Sequence, residues 1–406
     1  MAAINLSGYL VCLVPVLFFV EAAQAQTVMQ SAGGGARLFS TDIAVLEAGD
    51  PRTDLPCKVT PSKPVLGFDL RFHAGYEVSV PLRELAGSED LLTIVFRVSP
   101  AGGGDPVHFS QRIRVPAIED GSKGEAFLQG TFDLGEGTYD VAWLMRNRSE
   151  RVCSFYWQSE ASLPSKDKDL KMAIAAGMVE GTEPEPFREE PPIEREERDP
   201  LNVKVLVNFA PQNERASSLQ PIDTGALISI LRRIAREPRI GRFSVVAFNI
   251  QEQRILYRQD TGDQIDFPSL GDALDSIRLG TVDLQRLGRK NSDTEFLQEL
   301  IVREMASDGR PDALIFAGPK VMLAQQVSQE ALKEIGKVEY PIFYMNYNFN
   351  PQTNPWRDAI GNAVRFFKGQ EYTISRPRDL WFAWSEIVGH IVELKLEKGT
   401  GVASSQ

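Results

Sequence analysis

Residues 202–213, NVKVLVNFAPQN, run as a strand into a loop and place Asn208, Ala210 and Gln212 at the strand's carboxyl end. Val203, Val205 and Val207 alternate with Lys204 and Leu206, as expected of a buried strand. In a doubly wound α/β domain, ligands gather outside the carboxyl ends of the strands, so these positions bear on function. Two are amides, which donate and accept hydrogen bonds without charge, and the third is an alanine with no polar atom in its side chain. A second segment, FYMNYNFNPQTNPW (343–356), leaves a later strand and should reach the same face. It sets Tyr347, Phe349 and Trp356 among Asn346, Asn348, Asn350 and Asn354, a mixture of rings and amides suited to recognising a sugar or a peptide backbone. Phe343 and Met345 read as core, and Asn354-Pro355 as a helix start.

Hydrolytic or phosphate chemistry finds no motif: there is no G-x-S-x-G elbow, no H-E-x-x-H helix and no G-x-x-x-x-G-K loop. The glycine runs at 33–36 and 102–105 read as turns. His390 falls on an amphipathic helix, and His73 and His108 have no partner motif. Neither catalytic residues nor a cofactor are expected, and the chain reads as a non-enzyme.

A net charge of −11 argues against a nucleic-acid partner, which calls for a basic patch. Three histidines and three cysteines leave little for a soft-metal site. Residues 8–20 form an apolar run, followed by AQA at 23–25, so residues 1–25 read as a cleaved secretory signal. The run is too short for a membrane span, which needs about 20 apolar residues. The mature chain would be secreted or periplasmic, with Cys57 and Cys153 as its remaining pair. In an oxidising compartment these are expected to form a structural disulfide, with two separate buried thiols as the alternative.

Positioning these residues requires two kinds of domain. Residues 37–163 read as an all-β sandwich: Leu66, Phe68, Leu70 and Phe72 alternate with polar or small residues, as do Leu92–Val98 and Tyr139–Met145. Residues 164–200 read as a short helix, with Leu170, Ile174 and Met178 on one face, followed by an acidic, proline-rich linker. In 201–396, strands at 203–209, 243–250, 313–318, 340–347 and 371–375 alternate with helices. These begin near Asp223, Thr294, Asn354 and Pro377, so the fold class is α/β with a mostly parallel, doubly wound sheet. Residues 397–406 read as a disordered tail.

DLGEGTYDVAWLM (133–145) resembles the turn-then-Tyr entry into a strand of immunoglobulin-like and related bacterial sandwich modules. The strand–helix order of 201–396, closing on VRFFKGQEYTISRPRDLWFAWSEIV (364–388), resembles a von Willebrand factor A domain of the exported bacterial type, over about half the chain. The resemblance implies a metal-ion-dependent adhesion site built from Asp-x-Ser-x-Ser after the first strand, a Thr before a middle helix and an Asp after the fourth strand. Here the first motif reads Asn208, Ala210, Gln212, the last position is Gly318, and Thr294 alone matches, with Asp293 beside it. A hard divalent cation wants oxygen ligands including a carboxylate, so the expected site has lost its metal; a site rebuilt from Asp293 and Asp223 is the alternative. The expectation is an exported protein–protein interaction, adhesion or scaffold protein whose partner contacts come from Asn208, Gln212, Thr294, Tyr347, Phe349 and Trp356. The alternative is an envelope-associated protein that binds a carbohydrate or small polar ligand through its β domain.

Overall fold

The computed structural model describes residues 27–29, 39–87, 90–182, 186–196, 199–213, 216, 218–277, 279, 291–306 and 310–403. The expected signal, 1–25, lies outside the described residues.

The N-terminal half contains β1 (Thr27–Met29), α1 (Ser40–Ala48), β2 (Lys58–Leu66), β3 (Phe72–Pro81), β4 (Asp90–Pro100) and β5 (Val107–Val115). It continues with β6 (Glu125–Leu134), β7 (Gly137–Arg146), β8 (Val152–Ala161) and β9 (Val179–Gly181). Two antiparallel sheets result, ordered β1-β5-β4-β7-β8 and β2-β3-β6-β9. The alternation seen in the sequence sends Leu92, Ile94, Phe96 and Val98 of β4, with Tyr139, Val141, Trp143 and Met145 of β7, inward to meet Tyr76, Val78, Phe132 and Leu134 of the other sheet. Cys57 lies just before β2 and Cys153 lies in β8, and their disulfide ties one sheet to the other. The expected strand through Leu66–Phe72 is instead a turn. β2 ends at Leu66, Leu70 takes φ 61°, and β3 starts at Phe72.

The C-terminal half contains β10 (Leu201–Asn208), α2 (Pro221–Ala235), β11 (Ile240–Asn249), β12 (Arg254–Gly262), α3 (Phe267–Leu274) and α4 (Ser292–Ala306). It is completed by β13 (Ala313–Pro319), α5 (Gln329–Glu334), β14 (Ile342–Tyr347), α6 (Ala359–Phe366), β15 (Gln370–Ile374) and α7 (Pro377–Ala403). Its sheet runs β12-β11-β10-β13-β14-β15. Val203, Val205 and Val207 face a core shared with α2 and α7, and Leu206 faces one shared with α4 and α6.

The expected class, a doubly wound and mostly parallel α/β sheet, is corrected here. Strand makes up 36% and helix 26%, two of the three sheets are antiparallel, and the third is mixed. The mixing comes from β12, which returns antiparallel to β11 through a tight turn in which Gln253 takes φ 51°. Its sequence, RILYRQDTG, is half-exposed and polar, so it lacked the apolar run that marks its neighbours.

Other boundaries moved for local reasons. No helix forms across 169–178: Leu170 and Ile174 are buried from a run of turns and bends, and Met178 is exposed. Asn354-Pro355 caps nothing, because Asp358 takes that role and accepts a hydrogen bond from the Gly361 amide at 2.8 Å. The stretch around Glu190, read as a solvated spacer, lies against α2. The last helix runs on to Ala403, into the stretch read as a tail.

Candidate functional site

The carboxyl end of the mixed sheet is where ligands were expected. Asn208 is fully buried there; its Oδ1 accepts the Ile250 amide at 3.2 Å, and its Nδ2 has no hydrogen-bond partner. Gln212 donates from Nε2 to Asn348 Oδ1 at 3.0 Å and accepts the Phe349 amide at 3.4 Å. Tyr347 is also fully buried, and its hydroxyl donates to the Ala210 carbonyl at 3.2 Å. Asp223, in the first turn of α2, accepts the amides of Gln212 and Gln220. Burial pushes its carboxyl above the ordinary value, and those amides and the Tyr347 hydroxyl pull it back. Gln212, Tyr347 and Phe349 therefore come together with Asn348 as one hydrogen-bonded brace at the start of α2. Thr294 is buried elsewhere, against Asp293 and the Gln325 carbonyl, and Trp356 stands 70% exposed.

This donor set does not fit a divalent cation. The free atom of Asn208 is an amide NH₂, which donates and cannot ligate. The oxygens of Gln212 and Ala210 already accept hydrogen bonds. A Cβ on Gly318 would come within 2.8 Å of the Asn208 Cβ, so an aspartate could not enter that position without moving the strand. Among the described residues no cluster of three His, Cys, Asp or Glu side chains is placed to hold a metal.

A different site opens between the two halves, in a cleft of about 710 Å³. One wall is α2. Ile222, Gly225, Ser229, Arg232, Arg233 and Arg236 recur at helical spacing and share its outward face. The other wall is the turn after β2, with Phe68, Asp69, Arg71 and His73, together with Lys171, Met172, Asp133 and Thr182. Phe68 links this cleft to the brace, since its ring lies 6.0 Å from that of Phe349.

His73 lies between two carboxylates, Nδ1 2.8 Å from Asp133 and Nε2 3.1 Å from Asp69. The hydrogen bonds of Asp133 and then Asp69 outweigh burial and push the imidazole up to about 10. At neutral pH both ring nitrogens carry protons and donate, so His73 has no lone pair with which to act as a base. The Thr182 hydroxyl donates to Asp133 at 2.8 Å rather than to the histidine. Arg71 adds its guanidinium 3.5 Å from Asp133 and 2.8 Å from Glu180. This cluster stiffens the cleft wall, and it does not form a nucleophile–base pair.

The sequence carried a signal for this cleft that motif reading missed. LRRIAREPR (231–239) concentrates arginines at i, i+1 and i+4 on one helix in an acidic chain. What it could not show was the second wall, which is assembled from three earlier segments, around residues 67–73, at 133 and at 171–182.

No family model matches the chain, and no curated protein matches it. Among solved structures, the chain is similar to the PilB minor pilin from Streptococcus sanguinis at TM-score 0.28 and 7% identity, covering 73% of this chain and 87% of that one. A β-glucosidase from Listeria innocua gives TM-score 0.17 and 13% identity, over 27% of this chain and 16% of its own. A Bacteroides uniformis β-glucuronidase gives 0.19 and 10%, over 74% and 34%. Scores this low carry no argument about fold or function and lend no support to the von Willebrand factor A resemblance.

Proposed function

We propose that this chain is an exported, non-enzymatic binding protein that holds a partner in the cleft between its β-rich half and its mixed-sheet half. The observation that carries this reading is the cleft itself: an open groove of about 710 Å³ with an apolar end and a cationic end, on a chain whose net charge is −11. Binding sites favour such junctions between packed units, where a few polar groups converge on apolar surface. The Cys57–Cys153 disulfide is in keeping with an oxidising compartment, and among the described residues no helix is long and apolar enough to cross a membrane. Of the residues first assigned to partner contact, Gln212, Tyr347 and Phe349 serve in this reading as the brace that sets the angle of α2.

Gly225 gives a clean test. It lines the cleft, and a Cβ built there meets no atom within 4 Å, so Gly225→Trp fills the groove without disturbing the helix. Cross-linking with the tagged full chain should capture a partner that G225W fails to capture, while Trp356→Ala captures it normally. Equal capture by G225W, with an unchanged melting temperature, would overturn the reading.

A further inference from the structure

The chain already shows what the cationic face of α2 accepts. Glu190 belongs to a stretch of the acidic segment without regular secondary structure, followed directly by Pro191 and Pro192. Its carboxylate is 9% exposed and lies 2.7 Å from Arg232 Nε and 2.5 Å from Arg236 Nε. An acidic, proline-bearing peptide of this chain thus occupies two of the three arginines on that face.

The third is left over. Arg233 lines the cleft and pairs with no carboxylate among the described residues, and its Nε is buried with no hydrogen-bond partner. Burial pushes its guanidinium below the ordinary value, with Glu237 only partly offsetting this. Across the groove Lys171 is exposed and likewise has no ion pair among the described residues. Arg233 is only partly buried, so a ligand carboxylate in the cleft would give its unpaired guanidinium the charge-assisted partner that Glu190 gives Arg232 and Arg236.

The shape argues for an extended ligand rather than a small ion. From Ile222 to Arg236 the wall runs about 21 Å at roughly 1.5 Å per residue. That length matches about seven residues of polyproline-like chain at roughly 3.1 Å each. Ile222, 57% exposed, and Phe68 form its apolar end, and the arginines form the other.

Resting on the cleft reading above, we infer that the groove binds an extended acidic peptide segment of a partner protein, with Arg233 and Lys171 taking its carboxylates and Phe68 and Ile222 an apolar side chain. Glu190 is in this view the chain's own share of the same contact, and it orients Arg232 and Arg236 along the groove.

The test uses the full chain and a fluorescein-labelled ten-residue peptide of alternating glutamate and proline with one phenylalanine near one end, followed by anisotropy at low salt. Its twin carries glutamine at every glutamate. The acidic peptide should bind about tenfold or more tightly than the twin, and Arg233→Gln should weaken it about tenfold. Lys171→Gln should weaken it several-fold, added salt should weaken it further, and G225W should abolish it. Equal binding of the two peptides, or binding indifferent to both Arg233→Gln and G225W, would overturn the inference. So would displacement of the peptide by an equal concentration of inorganic phosphate, which would make the site a simple anion pocket. If neither peptide binds while G225W still loses the captured partner, the ligand class is wrong and the cleft reading stands.

Discussion

In the mixed sheet, Lys204 sits in the middle of β10 with its Nζ 2.9 Å from Glu304 Oε2, and Arg258 closes on the same carboxylate from β12. In the β-rich half, His73 sits at the start of β3, 40% exposed, between Asp69 and Asp133. The first cluster centres on an enclosed carboxylate, Glu304, and the second on an imidazole that opens onto the cleft. Glu304 is 1% exposed; burial alone would raise its carboxyl, but the hydrogen bonds and charges of Arg258 and Lys204 hold it down at about 2. The mixed sheet thus depends on a charge that cannot be rehydrated. The β-rich half keeps its charge within reach of water and ties its two sheets with a disulfide. The comparison suggests that the mixed-sheet half is specified by a buried network, and that the β-rich half can place a charged wall at a site because its integrity rests elsewhere.

Glu304→Ala should break this contrast most sharply. It leaves Lys204 and Arg258 without their shared partner, and removing one member of a buried ion cluster costs about 3–5 kcal/mol. Denaturant unfolding of the variant should show that loss, with hydrogen exchange placing it in 201–391 rather than 58–161. An intact midpoint would mean the triad is only decorative.

Acid should reach the same network. Glu304 is depressed from its ordinary 4.5 to about 2, so its contribution, on the order of 3 kcal/mol, is present above pH 4.5 and lost as pH falls through about 2. Asp358 has the opposite sign. Burial raises its carboxyl to about 6 despite hydrogen bonds from the Gly361 amide and the Tyr344 hydroxyl, so its contribution is greatest below about 3.8 and is lost as pH rises through 6. Melting temperatures across pH 2–7 should show a loss below 4.5 that Glu304→Gln removes, and Asp358→Asn should flatten the profile between 4 and 6.

Reducing the Cys57–Cys153 disulfide tests the other half. The bond spans 96 residues, and losing a cross-link of this kind costs about 2–4 kcal/mol. The effect should appear in the exchange of 58–161 while the Glu304 network stays protected. Equal loss in both halves would show that their interface couples them. Gly225→Ala should go the other way, stabilising by roughly 0.5–1 kcal/mol through helix propensity, because its Cβ enters open cleft. A destabilised G225A would show that the groove is filled.

The smallest effect belongs to His73. Its pKa is raised from 6.5 to about 10, so its stabilisation is complete below pH 6.5 and fades as pH rises through 10. With the side chain 40% exposed, solvent screens the pair and leaves no more than about 1 kcal/mol. His73→Gln should flatten the alkaline limb measured by thermal unfolding between pH 7 and 10.5.

Much of the fold was legible along the chain. Val203, Val205 and Val207, the apolar stripe Leu227–Ile234, and the alternation in β4 and β7 all declared their elements, because burial of one face imposes a period on sequence. β12 was not legible, since an edge strand needs no continuous apolar run. The brace around Tyr347 looked in sequence like an exposed recognition loop, and only the packing showed that its ring is buried and its hydroxyl bonded to Ala210.

By itself the sequence determined the strands and helices that carry a periodic apolar face, the pair of cysteines able to bridge, and the absence of carboxylates where Asn208, Ala210 and Gln212 stand. Local rules suffice there, because periodicity, side-chain type and the chemistry of a ligand set are properties of neighbours in the chain. The cleft was decided only by tertiary structure. Its two walls, the turn after β2 and the outer face of α2, lie far apart in sequence, and Glu190 reaches the arginines from a third segment. Which arginine is paired and which is left without a carboxylate depends on where three distant segments meet, and that meeting is fixed by packing rather than by any local pattern.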